Sequence, residues 1–529
     1  MKKMKENFLC RGAAEPRRII LVKIIPLLVL IAGTAGLASP GADNQAFSQE
    51  RKQAILREFI EFLSIPNVSS DKTNIRRNAE HLAGMMRGRG IEARLLETAG
   101  GPPVVYGELR APDSSRKTLL IYAHYDGQPV DAESWTDDPW TPVLRTGTIP
   151  EKARVASAAE IPEQGEDEWR IYGRGTSDDK GTIIAVLAAL DLLKERRTPL
   201  SVNVKFLFEG EEENGSPHLE ALLKKNRDLF RAGGMLLCDG PVHQTRRPQI
   251  IFGARGVMGL EMTVYGPDRA LHSGHYGNWA PNPAALLATI IAALRNKDGK
   301  ILIPGFSDDV RPLTAAERQA LRAAPPVDEG LRREFGLGWS EAGGGRLEER
   351  IMLPGLNIRG LSSGNVGAKV QNAIPIEATA SIDFRLVPDQ DPAKVRERVD
   401  AYLYSLGYEI IYKEPSTAER RQAPRYVQMR WGGGYPAYRE DMDGSFGRAL
   451  IETLSKATDG SLIKMPALGG SIPMEMFHRV LGLPVVLFPI ANHDNNQHGP
   501  DENIRLRNLW DGVRMHAALL SGLAGVWKD

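Results

Sequence analysis

The feature that most constrains the fold is the run from Val202 to Phe208, which reads as a strand and ends in a knot of acids, Glu209, Glu211, Glu212 and Glu213, before a Gly-Ser turn. Carboxylates this close repel one another. A solvated loop tolerates such a cluster. At the carboxyl end of a core strand it is more easily explained by cations that neutralise it. Strand-like runs recur at Thr118 to Ala123 and Met235 to Cys238, with helical stretches at Gly181 to Glu195 and Pro217 to Lys225. Strands alternating with helices predict an α/β core with a largely parallel central sheet flanked by helices. In open sheets of that kind ligands collect in the crevice beyond the carboxyl ends of the strands, where the acids stand.

The pattern divides the chain. Residues 45–254 form the first part of this α/β domain, beginning with helical apolar spacing from Gln45 to Leu63. From about Arg255 the texture changes to alternating strands (Val257 to Val264, Ala378 to Leu386) around a helix at Asn282 to Arg295, which reads as an inserted, smaller α+β unit over 255–432. Within it the charge-, Pro- and Gly-rich stretch from Gly305 to Gly345 reads as an irregular excursion over the surface or near the site mouth. Residues 433–529 return to the first core.

Lys plus Arg number 67 and Asp plus Glu 66, a formal charge of +1, so the chain has no electrostatic footprint for nucleic acid or an acidic membrane surface. The first 38 residues differ from the rest. Basic residues (Lys2, Lys3, Lys5, Arg11, Arg17, Arg18) precede an apolar run from Ile24 to Ala38 that ends in small residues, the pattern of an export signal cleaved near Ala38. It predicts a periplasmic or secreted protein, exported by the general secretory or the twin-arginine route, with no stable membrane span once the leader is gone; an uncleaved anchor that takes in Ile19 to Lys23 is the alternative. Cys10 lies in that leader, so Cys238 has no disulfide partner and reads as a buried thiol.

Other polar residues stand at similar places. In LLIYAHYDGQP an apolar strand ends at His124 and Asp126, which are two apart and so face the same side, and the carboxylate can orient the imidazole. A hydrogen-bonded strand-end pair would read the same. In GRGTSDDKG, Asp178 and Asp179 follow a Gly-rich turn and precede a helix; they could hold a metal or cap that helix. Asp239 lies just past the strand ending at Cys238, and His498 lies in NHDNNQHGPDE.

The segments YAHYDGQP, GRGTSDDKG, EGEEENGS, LLCDG, LHSGHYGN, IDFRLVPDQ, GGSIP and NQHGPDE, in that order, resemble the di-zinc metallopeptidases that include aminoacylase, carboxypeptidase G and the carnosinase-like cytosolic dipeptidases. The resemblance covers nearly everything after the leader. It implies two zinc ions per subunit: His124, Asp178 and Asp239 on one, and Asp178, Glu213 and His498 on the other, with Asp178 shared. Cobalt or manganese would fit the same donors. Asp126 would orient His124. Glu212 would be the general base that takes a proton from the attacking water and passes it to the leaving nitrogen. The Asp178–Asp179 peptide would be cis.

For the substrate the resemblance implies that Arg385 grips a carboxylate with Ser471 assisting, and that His272 reaches the site of a partner subunit in a homodimer. Asn372 belongs to the same neighbourhood, where this chain reads VQNAIP in place of the Thr-containing segment of dipeptidases. His275 and His493 lie beside matched motifs without a ligand role, Glu209 and Glu211 read as outer acids, and Glu502 as a helix-start acid or a distal site residue. The reading is a zinc-dependent hydrolase of short peptides with a free C-terminal carboxylate. An N-acyl amino acid deacylase with the same site, and a non-catalytic binding protein on the same scaffold, are the alternatives.

Overall fold

The computed structural model describes residues 47–422 and 425–528; the leader-like segment and its expected cleavage point lie outside them. The helix Gln49–Leu63 is capped by Ser48, whose hydroxyl accepts from the Arg51 N–H, and it turns Ile55, Leu56, Phe59 and Phe62 onto the core.

Eight strands form the main sheet, in the order Glu92–Leu96, Val104–Leu109, Asn203–Glu209, Thr118–His124, Gly234–Leu237, Val485–Leu487, Gln249–Ile251 and Ile463–Met465. The strands Asn203–Glu209, Thr118–His124, Gly234–Leu237 and Val485–Leu487 are mutually parallel, and antiparallel pairings occur toward both edges. The sheet is therefore largely parallel through its centre, as expected, with antiparallel pairings toward its edges. The helices Lys180–Glu195 and Leu506–Gly522 cover one face and Leu219–Lys225 and Met474–Leu481 the other. Burial on both faces is what makes the central strands nearly uniform in apolar residues.

In register, His124 stands beside Glu209, so the parallel strands deliver their polar ends to one edge of the sheet. Gly210, directly after, must be glycine, because a Cβ there would overlap the Tyr125 ring. A small antiparallel sheet pairs Arg170–Tyr172 with Asn503–Arg505 and so draws the Gly-rich turn after Tyr172 against the loop that ends at Glu502.

A second, five-stranded sheet is built from chain lying between Gln249–Ile251 and Ile463–Met465, in the order Gly355–Ser362, Glu377–Leu386, Gly256–Tyr265, Tyr426–Tyr435, Glu409–Ile411. The helices Pro283–Leu294 and Pro392–Ser405 pack on one of its faces through Leu287, Ile290, Leu294, Val395, Val399 and Leu403. The fold is thus α/β with a smaller α+β layer.

The stretch from Gly305 to Gly345 is not irregular as expected. It contains the helices Ala315–Ala323 and Asp328–Glu334, the first started by a capping box between Thr314 and Glu317. Its buried Leu321 and Ala324 join the core cluster that lines the main sheet, and Arg439 pairs with Glu317 at 2.7 Å. Apolar residues at helical spacing within a charged sequence were the signal that composition concealed. Among the described residues no helix is long and apolar enough to cross a membrane.

Candidate active site

His124 ends its strand with no exposed surface, and both of its ring nitrogens face carboxylates. Nε2 lies 2.9 Å from Asp178 Oδ1, and Nδ1 lies 3.4 Å from Asp126 Oδ1 and 3.2 Å from the Asp126 carbonyl. Asp126 also accepts from the backbone N–H groups of Glu212 (3.1 Å) and Glu213 (3.2 Å). One buried carboxylate therefore orients the imidazole and fixes the acidic turn that follows the neighbouring strand.

Asp178 is shared. Its second oxygen lies 3.0 Å from His498 Nε2 and accepts from Gln497 Nε2 at 2.8 Å. His498 in turn lies 3.2 Å from Glu213 Oε2, which accepts from Gln128 Nε2 at 2.8 Å. Two groups of donors result, His124 with Asp178 and Asp239, and Asp178 with Glu213 and His498, and within each the ligand atoms lie within 4.8 Å of one another. The peptide between Asp178 and Asp179 is cis.

Charge in this crevice is unbalanced. Burial, with the Asp178 charge, pushes Asp239 up to about 7, and its buried Oδ1 has no hydrogen-bond partner. Burial also drives Glu212 well above the carboxylate range, with Asp239 and Asp178 adding to it against the pull of His124. Burial opposes a proton on His124, yet hydrogen bonds to Asp126 and Asp178 hold it well above the usual imidazole range. Asp178 and Glu213 push His498 up to about 10. Imidazolium protons supply positive charge where the carboxylates demand it, and divalent ions would take their place on the same donors, since metal ligands must give up protons to bind. Two imidazoles, three carboxylates and an orphaned buried oxygen fit metal ions of the zinc type.

The turn that carries Asp178 is held from below by Glu502. This fully buried carboxylate accepts from the N–H groups of Gly175 (3.0 Å), Ser177 (2.9 Å) and Asp178 (3.0 Å) and from the Ser177 hydroxyl (3.0 Å), and pairs with Arg174 at 2.8 Å. Glu502 precedes the strand Asn503–Arg505, so of the two sequence readings it is not the helix-start acid; it stands outside both donor groups and supports the turn that carries Asp178. The other acids around the turn are structural as well. Burial pushes Glu209 up to about 8 while it accepts from the Tyr122 hydroxyl at 2.7 Å, and Glu211 accepts from the N–H and the ring of His218. Asp179 accepts from the His124 N–H at 3.3 Å.

The remaining sequence candidates form two further groups. Arg385 donates to Ser471 Oγ at 2.8 Å and to Asp383 at 3.0 Å. His272 and Asn372 are neighbours across a short strand pair, where the Asn372 carbonyl accepts from the Ser273 N–H at 2.9 Å, and both are exposed. Within one subunit no hydrogen bond or ion pair joins His272 or Asn372 to the other groups among the described residues. The His275 ring lies tilted against that of His272, with centroids 4.6 Å apart, and His493 is in neither donor group. Gln128 and Gln497 went unassigned in the sequence; the proximity of Gln497 to His498 and of Gln128 to His124 in the chain was the only local signal.

Comparison with known proteins agrees with this geometry. Residues 120–522 match the profile of peptidase family M20/M25/M40, and the chain belongs to that family. It is 27% identical over 495 residues to the Cys-Gly metallodipeptidase dug1 of Schizosaccharomyces pombe, covering 90% of this chain and 97% of that one. It is 28% identical over 434 residues to the human Beta-Ala-His dipeptidase, covering 80% of this chain and 78% of that one. Among solved structures it resembles an M20 family metallo-carboxypeptidase, Sso-CP2 from Sulfolobus solfataricus, with a TM-score of 0.70 and 31% identity over 89% of this chain and 99% of that one. Human carnosine dipeptidase 1 shares the fold at a TM-score of 0.68 and 24% identity, covering 90% of this chain and 97% of that one.

The chain is an enzyme, a metallopeptidase of this family. These relatives correct the expectation of export: the Cys-Gly metallodipeptidases among them are cytosolic enzymes. A basic, apolar amino-terminal run therefore does not carry a periplasmic or secreted assignment here.

Proposed function

We propose that the protein hydrolyses dipeptides and similarly short peptides with a free carboxylate, using two zinc ions per subunit. The observation that carries this is the sharing of Asp178 between two donor groups, each able to surround one ion. His124, Asp178 and Asp239 would hold the first ion, and Asp178, Glu213 and His498 the second. When bound, such ions polarise a carbonyl oxygen and lower the pKa of water.

The protein's own groups do the rest. Glu212 is in neither donor group, yet its backbone is fixed by Asp126 and its carboxylate holds a proton readily, so it can take one from the attacking water and hand it to the leaving nitrogen. Arg385 and Ser471 offer a guanidinium and a hydroxyl side by side, which suits the two oxygens of a substrate carboxylate. His272, with Asn372 near it, would act across a homodimer and donate to the oxyanion that develops in a partner's site.

Two features support that dimer. The strand Gly355–Ser362 is an edge of its sheet with Leu361 exposed at 62%, and the helix Pro283–Leu294 turns the small residues Ala284, Ala285, Ala288 and Ala292 to solvent. Functional boundaries at 45–254, 255–432 and 433–529, with the middle part as lid and dimerisation unit, follow from this reading.

Substituting Glu212→Gln tests it. The variant should retain its metal, because no proposed ligand is lost, while kcat on a dipeptide panel falls by about 10²- to 10⁴-fold. Full activity in that variant would overturn the mechanism.

A further inference from the structure

Three residues of the five-stranded sheet form one row across adjacent strands. Arg385 stands directly opposite Val257, and Val257 directly opposite Tyr435. Residues directly opposite in antiparallel strands project to the same face. That face is not the one packed on the helices, because Met258, Leu260 and Met262 fill the helix-side core, and Val257 alternates with them. With strands about 4.8 Å apart, the Arg385 and Tyr435 backbones are about 10 Å from each other.

The row meets the proposed carboxylate site at Arg385. Arg385 reaches Ser471, and the charges that act on the Tyr435 phenol are those of Glu212 and Arg385. Tyr435 follows Gly432, Gly433 and Gly434, and a Cβ on Gly434 would overlap the Val257 carbonyl, so the glycine lets this strand end lie close against its neighbour. The phenol is half-buried, and its hydroxyl has no hydrogen-bond partner among the described residues.

Charge on this wall indicates what the hydroxyl meets. Arg255, which donates to the Gly469 carbonyl at 2.7 Å, lies near Arg385; burial, and Arg385 after it, push Arg255 down to about 10. Asp383 is the acid that offsets these two guanidiniums. Two guanidiniums close together, with Asp383 as their paired acid, suit an anionic group of the substrate. Burial and the Glu212 charge also keep the phenol protonated, so it is a donor.

We propose that Tyr435 is a further specificity-determining residue, whose hydroxyl donates to the free carboxylate of the substrate beside Arg385 and Ser471. This deepens the proposed function and rests on its assignment of a carboxylate to Arg385. Tyr435→Phe removes the hydroxyl and keeps the ring, so the melting temperature and metal content should not change. KM for dipeptides should rise about tenfold or more, with kcat within about twofold, because a carboxylate is held equally in the ground and transition states. The same substitution should change KM for the matching dipeptide carboxamides by less than about twofold.

An unchanged KM in Tyr435→Phe, or an equal rise on acids and carboxamides, would overturn the proposal. A metal-loaded wild type that hydrolyses no dipeptide would overturn the function instead, and the Tyr435 contact is then read by calorimetric titration of an N-acetyl amino acid. About tenfold weaker binding to Tyr435→Phe supports the contact, and equal affinities refute it.

Discussion

Replacing Glu502 by Gln is the sharpest probe of how the metal-type site is held together. The carboxylate accepts from three backbone N–H groups and one hydroxyl and neutralises Arg174, which is 2% exposed. A Gln fills the same space but keeps one acceptor oxygen and points an NH2 at groups that are themselves donors. At least one buried N–H then loses its acceptor, at about 1 to 3 kcal/mol. The Arg174 charge is left without its partner, and breaking a buried pair in this way costs about 3 to 5 kcal/mol. These terms share atoms and do not add in full, so the expected loss of stability is about 3 to 5 kcal/mol, a large part of the 5 to 15 kcal/mol typical of a folded protein.

The loss falls on the turn that carries Asp178, so metal affinity should drop as well, by about 10- to 100-fold, as when a group that orients a ligand is removed. Urea unfolding of the metal-loaded protein reads the first quantity, and competition with a fluorescent chelator the second. A variant within about 1 kcal/mol of wild type and with unchanged metal affinity would show that Glu502 does not support the site.

Two further outcomes follow from the same geometry. In the metal-free protein Asp239 is pushed up to about 7 and Glu209 up to about 8, so both hold protons in the fold that the unfolded chain has already released. Their contribution is present below pH 4 and is lost as pH rises toward 8; stripped protein should therefore unfold at lower urea at pH 7.5 than at pH 5.5, and a midpoint that rises over this interval would refute the assignment. Arg385→Lys keeps the charge but not the two-pronged donor that spans Ser471 and Asp383, and should raise KM for dipeptides about 10- to 100-fold with kcat little changed; steady-state kinetics decide it.

Much of the site was legible in the chain because its chemistry is local. His124 and Asp126 are two apart at the end of an apolar strand, so their common orientation follows from strand geometry, and the structure keeps it. The acids from Glu209 to Glu213 stand at the end of a core strand, and a parallel sheet centre gathers such ends at one edge. Register and partner strands were not legible. Nothing local to Asp178 says that its turn will meet Glu502, 324 residues away in sequence, or that Gln128 will reach Glu213. The helices within 305–345 were missed for a related reason: a charge- and Gly-rich composition conceals apolar residues that matter only once a sheet is there to receive them.

What the sequence alone determined is the strands and the polar residues at their ends, because periodicity and residue chemistry are properties of neighbours along the chain; the full donor set came from the resemblance in the order of motifs. What only the tertiary structure decided is how Gln128, Gln497 and Glu502 support those donors, and that Tyr435 falls in one row with Arg385. Those are relations between segments far apart in the chain. They are set by the pairing of strands and the close packing of cores, which no single segment encodes.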